Sequence, residues 1–104
     1  MKQLQQGDVL LREAIIDLTS AKEVKRKNGA IVLAEGEATG HAHRIMDVDA
    51  LFFEKDGKFY LKNEKTVTVQ HEEHKPITIE PGIWEVGQVR EKDWLSGMVS
   101  KVVD

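Results

Sequence analysis

The chain of 104 residues contains no cysteine and only two prolines, and aromatic residues make up 6% of it. Without cysteine, a disulfide framework, a thiolate metal site and a cysteine nucleophile are all excluded, so any metal must be held by nitrogen and oxygen. Positive charge is not in excess either. Fifteen Lys and Arg stand against eighteen Asp and Glu, a formal charge of −3, which lacks the basic footprint that polyanions attract. No run approaches the ~20 apolar residues of a membrane span, and "MKQLQQGDVLL" lacks the apolar stretch of ~7–15 residues that a secretory leader needs. A cytoplasmic protein without membrane contact is expected. There is no G-x-S-x-G elbow, no G-x-x-x-x-G-K loop and no dinucleotide fingerprint, so nucleotide-dependent chemistry has no support in the sequence.

Period-two alternation, the signature of pleated strands, is what the chain does have. It runs through "GDVLLRE", "GAIVLAEG", "HAHRIMDV", "ALFFEKDGKFYLKN", "KTVTVQH", "PITIEPG" and "IWEVGQVRE". Asp56-Gly57 stands between two apolar stretches and supplies the positive φ angles of a two-residue hairpin turn. Pro81-Gly82 suits a type II turn. Two segments have helical potential: "TSAKEVKRKNG", which reads equally well as a charged hairpin tip, and the tail "DWLSGMVSKVVD", with Asp93 as cap and Trp94, Met98 and Val102 on one face. At ~100 residues one domain is expected, spanning residues 1–104. The predicted fold is all-β: a small antiparallel barrel or sandwich of about seven to nine short strands with little helix.

All four histidines fall into two tight pairs, "GHAH" and "HEEH". In "HAHRIMD", His41, His43, Ile45 and Asp47 share one strand face, and apolar Ile45 marks that face as inward. His71 prolongs the Val67 and Val69 face in the same way. Two histidines at i, i+2 on a strand project side by side, and a neighbouring strand can complete a nitrogen set. The candidate metal ligands are therefore His41, His43, His71 and His74, for a divalent transition metal: zinc, iron, manganese or nickel. Glu72 or Glu73 would serve as a further ligand, an orienting partner or a general base. In the catalytic reading Glu73 moves the proton and Arg44 steadies negative charge.

The spacing of Gly36, His41, His43 and Asp47 resembles the first motif of the cupins, β-barrels that hold a metal with two histidines, a carboxylate and a later histidine. That resemblance implies His41, His43 and Asp47 as ligands, with the fourth from His71 or His74. Asp47 stands where the family has a glutamate, and "IWEV" follows Pro81-Gly82 where the family places its later histidine. The whole chain is also similar to small bacterial and phage-borne proteins, a likeness that implies no activity.

Three functional classes follow. The first is a metal-binding β protein acting on a small or anionic substrate, as a hydrolase or lyase. The second is a metal-free histidine site cleaving a phosphodiester, with Arg44 or Lys75 beside it. The third is a non-catalytic binding or assembly module whose exposed strand edges permit self-association. Whether the site is catalytic stays open at this level. Lys22, Lys25, Arg26 and Lys27 form a basic cluster, but in a net acidic chain a solvated tip is the expectation and nucleic acid is not.

Overall fold

A computed structural model describes residues 2–35 and 41–88. Ten strands follow one another: β1 (Gln3–Gln6), β2 (Val9–Glu13), β3 (Lys22–Glu23), β4 (Ile31–Glu35), β5 (Ala42–Ile45), β6 (Ala50–Lys55), β7 (Lys58–Asn63), β8 (Val67–Gln70), β9 (Ile77–Ile79) and β10 (Gly82–Gln88). They build two antiparallel sheets, β1-β2-β10-β7-β6-β3 and β4-β5-β8-β9. The sheets stack as a sandwich and do not close into a barrel, and no helix occurs among the described residues. None there is long and apolar enough to cross a membrane.

The alternation seen in the sequence is what packs the interior. Leu11, Leu61, Trp84 and Val86 come from the larger sheet, while Ile31, Ile45, Val67, Val69 and Ile79 come from the smaller one. Each such side chain, fully buried, stabilises the fold by about 1.5–3 kcal/mol relative to exposure. Asp56 and Gly57 take φ of 53° and 78° and join β6 to β7, with Lys55 opposite Lys58. This is the two-residue hairpin expected of Asp-Gly.

Elsewhere the local pattern gives way. The segment around Lys22 to Gly29 is not a helix: Lys22 and Glu23 form β3 against β6, and the hairpin tip is the turn in which Lys27 bridges Ala30 across Asn28 and Gly29, whose φ angles are 51° and 81°. Arg26 in that segment donates to the carbonyls of Gly29, Asp47 and Ala50, and Lys27 pairs with Glu35, so two of its four cations have structural partners. Gly82 has φ of 154°, far from the about +80° of a type II turn, and opens β10 instead. The expected tail helix lies outside the described residues. The strand missed altogether is β1, "QLQQ", which pairs with β2 through a turn at Gly7-Asp8. Gly7 has φ of 57°, which suits the first central position of a type II′ hairpin.

Candidate metal centre

Three segments converge at one end of the sandwich. The first is β5, where the inward parity of Ile45 carries back to His43. The second is the stretch after β8. Arg44 pairs with Gln70 and Ile45 with Val69, so one further step of the same antiparallel register sets His43 across from His71. The third is the Gly7-Asp8 turn, which delivers Gln6 from β1 and Asp8 ahead of β2.

The four imidazoles meet there. Ring centroids are 4.3 Å apart for His43 and His71, 4.7 Å for His71 and His74, 5.7 Å for His41 and His71, and 5.9 Å for His43 and His74. A Cβ on Gly7 would come within 2.7 Å of His74 Nε2 and 3.2 Å of His43 Cε1. The turn thus needs glycine twice over, for its backbone angle and for the room it leaves the rings.

Hydrogen bonds determine which nitrogens are reactive. Gln6, 2% exposed, sends its amide nitrogen to the carbonyls of Val69 at 3.0 Å and Lys75 at 2.8 Å. Its carbonyl oxygen therefore faces His43 Nδ1, at 2.8 Å, and as an acceptor it requires that nitrogen to carry the proton. His43 Nε2 lies 3.4 Å from an Asp8 carboxylate oxygen. His41 Nδ1 lies 3.0 Å from Glu73 Oε1. The backbone N–H of Glu73 donates to His71 Nδ1 at 3.0 Å, so a neutral His71 keeps its proton on Nε2.

Charge follows from the same contacts. Arg44 holds Glu72 Oε2 at 2.7 Å and the Ala42 amide donates to Oε1 at 3.0 Å. The guanidinium first and then the amide push the Glu72 pKa down to about 2, so this carboxylate is charged at any ordinary pH. Burial, reinforced by repulsion from His71 and His74, holds His43 below the usual histidine range against the opposing pull of Asp8.

Among the described residues, His41, His71 and Glu72 offer ligand atoms that all lie within 4.8 Å of one another. This set overlaps the four-histidine expectation without coinciding with it. His43 and His74 join the ring cluster, and Glu72 brings the carboxylate. Glu73 orients His41, and the charge of Arg44 is directed at Glu72. Asp47, a ligand in the cupin comparison, receives the Thr68 backbone N–H at 3.3 Å. Gln6, Gly7 and Asp8 do not stand out in the sequence. Their only signal there is the Gly-Asp turn dipeptide ahead of an apolar strand.

A recess of about 350 Å³ lined by Gln5, Gln6, Glu73, His74, Lys75 and Ile77 adjoins the cluster. Another, of about 330 Å³ and more apolar, lies against β4, β6 and β7 around Val24, Leu33, Phe52 and Phe59, and no histidine lines it.

Residues 5–89 match the family model described as Domain of unknown function (DUF8820). The chain belongs to that family. Comparison with curated proteins and with solved structures finds no match. The DUF8820 span contains the Gly7-Asp8 turn, all four histidines and every strand from β2 to β10. The whole candidate centre therefore belongs to the DUF8820 domain.

Proposed function

We propose that this domain binds a divalent transition metal through His41, His71 and Glu72, with His43 as the fourth group, and uses it to bind or activate a small anionic substrate or water. The observation that carries the reading is the mutual approach of three ligand atoms within 4.8 Å, one of them a carboxylate; His71 ligates only when the Glu73 N–H bond to its Nδ1 opens, so that bond and the ion are alternatives. Two imidazoles and a carboxylate suit zinc in a water-activating site and also suit non-haem iron(II), with manganese and nickel as further candidates. Glu72 accepts from Arg44 and Ala42, but an ionised carboxylate has about four lone-pair positions and retains capacity for an ion. Glu73, bonded to His41 Nδ1, orients that ring as carboxylates do for metal-binding histidines. A bound ion would lower the pKa of its water to about 7, which makes hydrolysis or lyase chemistry accessible at neutral pH.

A second reading rests on His71. Its Nδ1 accepts the Glu73 amide, which leaves a donor on Nε2 in a ring whose centroid is 4.3 Å from that of His43. A proton donor and a proton acceptor in adjacent rings fit metal-free acid–base cleavage of a phosphodiester.

Thermal melts separate the two. With zinc, nickel or manganese at one hundred times the dissociation constant, wild type should gain about 2.7 kcal/mol of stability. His71→Ala should lose that gain. If no metal, iron(II) included, raises the wild-type melting temperature, the metal reading fails. Cleavage of a model phosphodiester that persists in chelator would then support acid–base chemistry.

A further inference from the structure

We infer that Gln6 is a positioning residue: it fixes His43 as the Nδ1-protonated tautomer, so that Nε2, opposite Asp8, is the nitrogen the site uses. The inference deepens the metal reading, on which its functional meaning rests, but the tautomer itself is a property of the metal-free protein.

A glutamine amide can present either end to a neighbour, and here both ends have buried contacts. The nitrogen satisfies two backbone carbonyls, Val69 at the last pair of β8 and Lys75 in the loop beyond it. Flipping the amide would set its oxygen against both carbonyls, replacing two hydrogen bonds by two acceptor–acceptor contacts in a buried position. The orientation is thereby fixed, and the oxygen is left for His43 Nδ1 at 2.8 Å. One side chain from β1 thus joins the larger sheet to the smaller one, anchors the loop that carries His71, Glu72, Glu73 and His74, and determines the protonation of the buried ring.

The consequence lies on the other side of that ring. Neutral His43 directs the Nε2 lone pair toward Asp8 Oδ1, 3.4 Å away. A histidine that donates Nδ1–H to a carbonyl oxygen while Nε2 takes the ion is the usual arrangement of an oriented metal ligand, and removing such a partner typically weakens metal binding by about 10–100-fold.

The test is a nitrogen-15 histidine spectrum of the full chain, metal-free, at a pH well above the ordinary histidine range, with His43 assigned by comparison with His43→Ala. The expected spectrum shows His43 protonated at Nδ1 and bare at Nε2. Gln6→Leu should return the ring to a mixture of tautomers and weaken zinc binding by about 10–100-fold. A wild-type His43 protonated at Nε2 overturns the inference, as does a folded Gln6→Leu protein with tautomer and zinc affinity unchanged. If Gln6→Leu does not fold, the wild-type spectrum decides. A correct tautomer in a protein that binds none of the metals would leave the Gln6 assignment standing and remove the metal function.

Discussion

His43 is 4% exposed, and most of the site's character comes from holding a titratable ring in that position. Its folded-state pKa lies below the reference of 6.5, chiefly through burial. The native state therefore binds fewer protons than the unfolded chain just below that reference. Stability is complete above pH 6.5 and falls as pH drops toward the depressed folded value, because the unfolded state takes up the proton first. Glu72 has the same sign in a lower window: its carboxylate is held at about 2 against a reference of 4.5, so its contribution is present above 4.5 and lost as pH falls through about 2. Glu72 is exposed, so solvent and salt screen its share. Denaturant titrations of metal-free protein should show a first loss of stability below pH 6.5 that disappears in His43→Ala, and a later one that is reduced by salt. A wild-type protein equally stable on both sides of pH 6.5 would contradict the buried neutral ring.

The elements place these residues through register. Ile45 pairs with Ile31 on one side and Val69 on the other and is 0% exposed, so it fixes which way His43 points. Ile45→Ala should cost about 2–5 kcal/mol in chemical denaturation. Glycines offer a sharper comparison. Gly57 has φ of 78°, and a Cβ placed there would meet nothing within 4 Å, so Gly57→Ala should cost only the left-handed strain of about 1–2 kcal/mol and leave metal response intact. Gly7→Ala adds a contact of 2.7 Å with His74 Nε2, and should both destabilise and disturb the site. Equal losses of metal response in the two variants would argue against a role for the turn.

These elements also show what the sequence carried. The Asp56-Gly57 hairpin and the inward parity of His43 and His71 were legible because each depends on residues within a few positions of one another. The β1 strand was not. In "QLQQ" the only apolar residue is Leu4, and Gln6 is buried by hydrogen bonds to groups 63 and 69 residues away, which no local pattern announces. Glu72 was legible as a charge near histidines, but its union with His41 depends on the loop after β8 folding back on β5.

At the scale of the molecule, alternation specifies strands without specifying which strands become neighbours. The crossovers that put β10 between β2 and β7, and β8 beside β5, decide between the two expected architectures in favour of the sandwich. That topology gathers a turn from one sheet and a strand and loop from the other at one end of the core. The functional reading depends on the metal centre. A crystal soaked with zinc, measured across its absorption edge, tests it most directly. The expected result is one anomalous peak about 2.0–2.1 Å from a nitrogen of His41, a nitrogen of His71 and an oxygen of Glu72, with His43 Nε2 directed toward it. A zinc-soaked crystal with these side chains ordered and no peak among them would contradict it.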